Sequence, residues 1–287
     1  MYEDYYKLTE EPFRLSPNAR FCYRHPSYKK AKAYMQYALH RGEGFVMVTG
    51  QPGTGKSTLI DDLTCDLQDD NTFFANLSCT QIEADDLLRL VLLNFDLEAE
   101  HSTKAILLHD LERFLHTLRR DGKRALLIID EAQDLPSSAL EELRLLTNLQ
   151  QDNIPLLQIF LVGQDELRRT VLSPGLKQLH QRIVAACHME PLGVDTTEEY
   201  VKHRLKQVGW KNDPSFSNEV FSYIHRFSNG IPRLINLICG RLLLHGMVEE
   251  LHEIGVTDIR EVIEALTEEQ LLPINRKMNQ NAKHLWR

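Results

Sequence analysis

An eight-residue segment, Gly50-Gln51-Pro52-Gly53-Thr54-Gly55-Lys56-Ser57, fits the phosphate-binding pattern G-x-x-x-x-G-K-[ST] at every fixed position. Its three glycines allow successive backbone N–H groups to turn toward a polyphosphate. The helix predicted to follow adds partial positive charge at its N-terminus. In such a loop we expect Lys56 to bind the β- and γ-phosphates and the Ser57 hydroxyl to ligate Mg²⁺.

A second segment, Leu126-Leu127-Ile128-Ile129-Asp130-Glu131, is an apolar run that ends in two carboxylates. Asp130 suits a magnesium contact, direct or through water, and Glu131 suits a base that polarises an attacking water. A buried strand that meets solvent at an acidic turn has the same pattern. Combined with the phosphate loop, however, the segment favours a nucleoside triphosphatase that uses ATP and Mg²⁺. The predicted nucleotide-binding residues are Gly50–Thr58 and Asp130, with Ser57 and Asp130 as the metal ligands.

Apolar runs alternate with helical patterns along the first two thirds of the chain. The runs predict strands at Phe45–Val48, Thr72–Leu77, Leu126–Ile129, Leu156–Val162 and Ile183–Met189. This alternation predicts an α/β fold with a parallel sheet covered on both faces. One strand intervenes between the phosphate loop and the Asp130-Glu131 strand. This arrangement fits the nucleotidases in which a further strand leaves a carboxylate free to activate water.

The strand pattern ends near Pro191, and only helices are predicted after it. They lie near residues 197–208, 218–228, 232–248 and 257–266, with no strand between them. The sequence therefore predicts a nucleotide-binding α/β core with an N-terminal packing segment at residues 1–191. A helical lid domain is predicted at 192–270 and a basic C-terminal tail at 271–287.

The charge balance restricts the classes of partner. The 287 residues include 33 Lys and Arg against 41 Asp and Glu, a net charge of −8. This balance argues against broad nucleic-acid binding, although Arg119-Arg120-Asp121-Gly122-Lys123-Arg124 is locally basic. No apolar run approaches the ~18 residues of a membrane span. The acidic and aromatic first residues lack the basic and apolar regions of a secretory signal, so we expect none. We expect a cytoplasmic protein, with a peripheral position at the inner membrane left open.

An α/β nucleotidase core followed by a small helical domain resembles the AAA+ ATPases. This resemblance implies a three-layer sandwich with an all-helical lid, and it assigns roles to three more residues. Gln164 is at the position of the polar residue that orients the lytic water. Arg182, in Leu179-His180-Gln181-Arg182-Ile183, resembles the arginine finger that reaches a neighbouring subunit, with Arg168 and Arg169 as alternatives. Arg233, in Gly230-Ile231-Pro232-Arg233, resembles the lid arginine that contacts the γ-phosphate of its own subunit. The alternative for each arginine is a surface ion pair.

Several blocks of sequence narrow the resemblance to the ExeA/GspA-type secretion ATPases. They include Tyr6-x-Leu8-x(3)-Pro12-Phe13-x-Leu15-Ser16-Pro17, Asp130-Glu131-Ala132-Gln133-Asp134-Leu135 and Leu161-Val162-Gly163-Gln164-x-Glu166-Leu167. Two further blocks are similar to members encoded in exosortase (PEP-CTERM) loci: Gln81-Ile82-Glu83-Ala84-Asp85-Asp86-Leu87-Leu88-Arg89 and Leu205-x(2)-Val208-Gly209-Trp210. Full-length members of the secretion-pathway type carry a membrane span and a peptidoglycan-binding part after the ATPase. We expect this chain to resemble the short members that lack both.

The resemblance implies an enzyme that hydrolyses ATP to ADP and phosphate and forms a homo-oligomer when ATP binds. Its expected role is to drive or switch an envelope system, first of all exosortase-linked protein export or exopolysaccharide export, with components of that system as partners. One alternative is a DNA-transaction regulator similar to the TnsC-type transposition regulators, which share the Gly-x-Pro-Arg lid. Another is a nucleotide-binding scaffold that hydrolyses ATP slowly. The acidic balance argues against the first alternative, and Glu131 argues against the second.

Overall fold

The computed structural model describes residues 1–16, 19–67, 71–78, 83–99 and 103–272. The chain forms two compact units. The α/β unit is Arg24–Glu190, and the helical unit combines Met1–Tyr23 with the residues from Pro191 onward. Residues 273–287 of the predicted basic tail lie outside the described residues. So do Pro17, Gln81 and Ile82 of the resembling blocks.

The strands and helices follow the predicted alternation. The strands are β1 (Phe45–Gly50), β2 (Thr72–Ser78), β3 (Arg124–Asp130), β4 (Gln150–Gln151), β5 (Ile154–Pro155), β6 (Leu157–Gly163), β7 (Ile183–Met189), β8 (Ser215–Phe216) and β9 (Glu253–Ile254). The α-helices are α1 (Tyr2–Tyr5), α2 (Pro26–Arg41), α3 (Lys56–Leu67), α4 (Ala84–Asn94), α5 (Lys104–Arg120), α6 (Ser137–Leu146), α7 (Asp165–Val171), α8 (Lys177–His180), α9 (Val194–Gln207), α10 (Asn218–Ser228), α11 (Pro232–Val248) and α12 (Val256–Glu268). Within the described ranges, no helix is both long and apolar enough to cross a membrane.

The five long strands of the α/β unit form one parallel sheet in the order β2-β3-β6-β1-β7. The predicted parallel sheet is therefore confirmed, and β6 lies between the phosphate-loop strand and the Asp130-Glu131 strand. Alternate strand residues such as Phe45 and Leu127 join one apolar core with α4 to α8. Their neighbours Val46 and Leu126 are equally buried on the opposite face, where α2 and α3 pack. Burial on both faces explains the continuous apolar runs of the sequence.

A network of charged side chains fixes α3, the helix that begins with Lys56. The Asp62 carboxylate accepts hydrogen bonds from Tyr28 Oη at 2.7 Å, Lys32 Nζ at 2.7 Å and Arg24 Nη2 at 3.2 Å. Burial by itself would raise the pKa of Asp62, but the bonds from Lys32 and Tyr28 outweigh it and hold that pKa below its usual value. The network holds α3 against α2, behind the phosphate loop.

The helical unit departs from the predicted organisation at the N-terminus. The sequence analysis placed the first residues with the α/β core, whereas Tyr6, Phe13 and Phe21 are buried in the core of the helical unit. Arg204 holds this segment, since its Nε donates to Pro12 O at 2.7 Å and its guanidinium lies 5.0 Å from the Phe21 ring centroid. Aromatic residues in a loop indicate burial but not the surface that buries them.

Two short pairs of strands were not expected. Strands β8 and β9 form a two-residue parallel pair between the helices of the helical unit, so the expectation of no strand in this region is wrong in this detail. Strands β4 and β5 form a small hairpin with Asp152 and Asn153 at its turn, where φ is +54° and +62°. Positive φ at both turn residues is typical of a type I′ hairpin. Two-residue strands are too short to produce a detectable alternation of polar and apolar residues.

The turn before α11 depends on Gly230. Its φ is +71°, and a Cβ at this position would lie 2.0 Å from the carbonyl oxygen of Leu192. Its own carbonyl accepts a hydrogen bond from Leu192 N at 2.8 Å. The glycine of the Gly-x-Pro-Arg segment is therefore required by close backbone contact.

We expect Gly230→Ala to destabilise the helical unit by roughly 2–5 kcal/mol, because a left-handed conformation and a steric clash both oppose the methyl group. Gly209→Ala is the matched control, since Gly209 has a φ of +80° but its nearest Cβ contact is 3.8 Å. The Gly209→Ala variant should lose only about 1–2 kcal/mol of its free energy of unfolding. Of the two tryptophans, Trp210 lies in the helical unit and Trp286 lies outside the described residues, so urea unfolding followed by tryptophan fluorescence reports on this region through Trp210. Equal losses in the two variants would contradict the steric argument.

Candidate active site

The phosphate loop connects the carboxyl end of β1 to the start of α3. Gly53 and Gly55 have φ of +81° and +96°, conformations that favour glycine. At Gly50 a Cβ would lie 2.8 Å from Met189 O and 2.9 Å from Thr54 Oγ1. The predicted segment therefore folds as a tight loop that a side chain at Gly50 would disrupt. Ser57 and Thr58 follow in the first turn of α3.

Lys56 is the cation of this loop. Its side chain is buried, and its Nζ donates to Gly50 O at 3.0 Å and Gln51 O at 3.2 Å. Burial lowers the pKa of Lys56, and the Glu131 and Asp130 carboxylates partly offset that effect. A buried ammonium held by two neutral carbonyls is stabilised by an anionic ligand, so the loop fits a polyphosphate.

Ser57 and Asp130 meet at the end of β3. The Ser57 hydroxyl donates to Asp130 Oδ2 at 3.1 Å, and Asp130 Oδ1 accepts from Glu131 N at 2.9 Å. Hydroxyl and carboxylate oxygens suit Mg²⁺, which usually takes one or two protein ligands together with phosphate oxygens and water. No larger group of His, Cys, Asp or Glu with metal-binding geometry occurs among the described residues. The pair could therefore hold Mg²⁺ beside a bound triphosphate.

Glu131 lies at a sharp turn of the backbone. Its φ of +52° and ψ of +37° are left-handed, and a 3₁₀ turn at Ala132–Asp134 follows. This turn brings Gln133 back to Glu131, so that Gln133 Nε2 donates to Glu131 Oε2 at 2.8 Å. Gln164, at the end of β6, donates from Nε2 to the same oxygen over a longer 3.4 Å. The structure thus brings the predicted base and Gln164 together.

Gln133 is a site residue that the sequence analysis did not identify. It occurs in the block Asp130-Glu131-Ala132-Gln133, but a polar residue two positions after an acid carries no periodic signal. Besides contacting Glu131, its Oε1 accepts from Gln164 N at 2.9 Å. Its place in the site depends on the left-handed conformation of Glu131, which the sequence pattern does not reveal.

Arg182 lies at the opposite edge of the sheet from the phosphate loop. Its carbonyl accepts from Phe45 N at 2.9 Å, at the amino end of β1. The length of β1 separates it from the loop by roughly 20 Å. Its guanidinium donates to Arg144 O, Thr147 Oγ1 and Asn148 Oδ1 at the end of α6. Arg182 therefore caps a helix within its own unit, and its action as a finger on a neighbouring subunit stays a prediction.

The other predicted arginines are placed differently. Arg168 and Arg169 line a cleft of about 800 Å³ beside Gln51 and Gln164, at the same sheet edge as the phosphate loop. Arg233 lies in the helical unit, second in α11, and is exposed. Among the described residues, no carboxylate forms an ion pair with Arg233. The role of Arg233 on the γ-phosphate stays a prediction.

The sequence is also similar to known proteins. A family profile described as an AAA domain matches residues 39–171. General secretion pathway protein A of Aeromonas hydrophila is 40% identical over 263 residues, which are 90% of this chain and 47% of that protein. The chain thus spans about half the length of this relative.

Solved structures with a similar fold over most of this chain include Cdc6p and ORC2. Cdc6p of Pyrobaculum aerophilum has a TM-score of 0.66 at 16% identity, over 87% of this chain and 71% of that chain. ORC2 of Aeropyrum pernix, solved in ADPNP–ADP complexes, has a TM-score of 0.62 at 15% identity, over 87% of this chain and 72% of that chain. At these identities the similarity is one of fold.

Proposed function

We propose that the chain binds ATP with Mg²⁺ and hydrolyses it to ADP and phosphate. The match of residues 39–171 to a profile described as an AAA domain and the similarity of fold to Cdc6p and ORC2 support this proposal. The observation that carries the proposal is the meeting of two distant segments at one sheet edge, where Ser57 contacts Asp130 at 3.1 Å. This contact brings a buried lysine, a pair of oxygen ligands and a carboxylate base into one site. These are the parts that phosphoryl transfer to water requires.

Each residue has a defined task in this proposal. Lys56 binds the β- and γ-phosphates, and Ser57 and Asp130 hold Mg²⁺, which supplies charge neutralisation at the phosphate oxygens when bound. Glu131 accepts a proton from the attacking water, and Gln164 orients that water. The backbone N–H groups of the loop bind the remaining phosphate oxygens.

The test is steady-state release of phosphate from ATP by the purified chain, with and without Mg²⁺. We expect turnover that requires Mg²⁺ and that is lost in Lys56→Ala. A chain that releases no phosphate, or a rate that Lys56→Ala leaves unchanged, would refute the proposal. The second result would show a contaminating ATPase.

The process that this ATPase serves is proposed to be envelope secretion or assembly. Support comes from the 40% identity to a protein named for the general secretion pathway. Within this class we favour exosortase-linked protein export or exopolysaccharide export, on the blocks at residues 81–89 and 205–210. Deletion of the gene should reduce secreted protein or polysaccharide, and complementation should succeed with the unchanged chain but not with Lys56→Ala. Normal secretion after deletion would refute this assignment.

Assembly into a homo-oligomer is the last part of the proposal. Arg182 is separated from its own phosphate loop by the length of β1, so it can complete only the site of a second subunit. Specific ATPase activity should therefore rise with protein concentration. Arg182→Ala should bind ATP but hydrolyse it about 10³–10⁵ times more slowly, and mixing it with Lys56→Ala should restore part of the activity.

Thr147→Val is the control for the capping role of Arg182. It removes one acceptor of the guanidinium and leaves the arginine in place. Its melting temperature should fall while its activity per folded molecule is retained. Specific activity independent of concentration, with a monomer in gel filtration in the presence of ATP, would contradict a finger at Arg182.

A further inference from the structure

Gln133 connects the ends of two strands of the sheet. Its Nε2 donates to Glu131 Oε2 at 2.8 Å, and its Oε1 accepts from Gln164 N at 2.9 Å. Glu131 follows β3 and Gln164 follows β6, the neighbouring strand. A single side-chain amide therefore links the predicted base to the backbone of the residue predicted to orient the water.

Gly163 leaves the space that this amide occupies. It is the last residue of β6, and a Cβ at this position would lie 2.7 Å from Gln133 Oε1 and 3.3 Å from Gln133 N. Any larger residue at Gly163 would push the amide away from Glu131. The Gln133 amide is therefore held by its hydrogen bonds with Glu131 and Gln164, and it fits into the space that Gly163 leaves.

The consequence for Glu131 is that its two oxygens are not equivalent. Oε2 accepts from Gln133 and, over 3.4 Å, from Gln164, which accounts for about two of the four lone-pair sites of a carboxylate. Among the described residues, no donor contacts Oε1. The geometry points to Gln133 as a positioning residue, which binds Oε2 and so presents Oε1 to the attacking water.

This inference rests on the proposed function, and its test must separate positioning from packing. Gln133→Glu is nearly isosteric and keeps an acceptor for Gln164 N. It replaces the donor to Glu131 with a second carboxylate. The attraction to Glu131 thereby becomes a repulsion, whereas the hydrogen bond from Gln164 N is preserved. Gln133→Met removes both hydrogen bonds without adding charge, and it serves if the glutamate variant does not fold.

We expect Gln133→Glu to lower kcat by about ten- to a hundredfold, the range expected for loss of a hydrogen bond to a charged group. The KM for ATP should change by less than about threefold, because among the described residues the Gln133 amide forms its hydrogen bonds with Glu131 and Gln164 and not with the phosphate loop or Lys56. Gln133→Met should lower kcat by about tenfold in the same way. Phosphate release and melting temperature are measured on each variant of the full chain.

A double-mutant cycle distinguishes positioning from a general structural role. Added to Glu131→Gln, the Gln133→Glu change should lower the residual single-turnover rate by less than about twofold, since the carboxylate through which Gln133 acts is gone. An equal loss in both backgrounds would show a structural role and overturn the inference. Gln36→Glu is the matched control, because Gln36 Nε2 also faces a carboxylate, Asp66, at 3.4 Å, and kcat should not change.

The remaining outcomes are also decisive. If the unchanged chain hydrolyses ATP and Glu131→Gln does not, but Gln133→Glu and Gln133→Met keep the full kcat, the inference is wrong and the proposed function stands. If the unchanged chain hydrolyses no ATP, both are wrong. A fall in kcat that appears only together with a large rise in KM would place Gln133 in nucleotide binding and overturn the positioning role.

Discussion

Lys56→Ala should raise the Kd for ATP by about 10²–10⁴. The ammonium is buried, and among the described residues its hydrogen-bond acceptors are the neutral carbonyls of Gly50 and Gln51, so a bound triphosphate would supply anionic acceptors in their place. Hydrogen bonds between charged groups contribute about 1.5–3 kcal/mol each, and contacts with two phosphates are lost together. Each 1.4 kcal/mol is a tenfold change in Kd. Isothermal titration with a non-hydrolysable ATP analogue and Mg²⁺ measures the change.

The same substitution should abolish stabilisation by the nucleotide. At a free concentration of one hundred times Kd, a ligand stabilises the folded state by about 2.7 kcal/mol, which should be seen as a rise in melting temperature in the unchanged chain. Lys30→Ala is the control, because it removes the same charge from an exposed side chain of α2. If Lys56→Ala and Lys30→Ala bind the analogue equally well, the phosphate loop is not the nucleotide site.

Glu131→Gln should keep ATP affinity within a few-fold and lower kcat by about 10²–10⁴, the usual contribution of a general base. The amide has the shape of the carboxylate, and its oxygen can still accept from Gln133 and Gln164. It cannot accept the proton of the attacking water. Single-turnover phosphate release, measured at saturating ATP, separates this loss from any change in binding.

Glu112→Gln makes the same chemical change at a half-exposed position on α5, and it should leave both kcat and KM unchanged. A Glu131→Gln variant that turns over within threefold of the unchanged chain would remove the base assigned here. Loss of binding in that variant would instead show that the turn around Glu131 supports the phosphate loop. The two variants together therefore distinguish a chemical role from a structural one.

Much of the α/β unit can be predicted from the sequence because the patterns that specify it lie within short segments of the chain. A parallel strand buried on both faces is a continuous apolar run, and Ile183–Met189 was predicted with the bounds that the structure has. The phosphate loop is likewise contiguous, since its fixed residues run from Gly50, the last residue of β1, to Ser57 in the first turn of α3. Helices α10 and α11 also begin and end at the predicted residues, and α11 begins at Pro232.

The assignment of Met1–Tyr23 to the helical unit could not be obtained in this way. Tyr6 and Phe13 are buried against helices from the last third of the chain. Their aromatic character predicts burial, whereas the surface that buries them is more than 170 residues away along the chain. Arg182 shows the same difficulty, because the acceptors of its guanidinium lie 34 to 38 residues earlier.

By itself, therefore, the sequence determined the loop, the acidic strand end and the parallel sheet, since each is encoded within a short window by residue type and spacing. Only the tertiary structure decided which oxygen of Glu131 is left to act, that Gln133 shares the site, and that Gly163 leaves room for it. Those features depend on a left-handed backbone turn at Glu131 and on the packing of β3 beside β6. The hydrogen bonds between the ends of β3 and β6 form only after the sheet has set the register of these strands. No local pattern of residues predicts which side chains this register brings together.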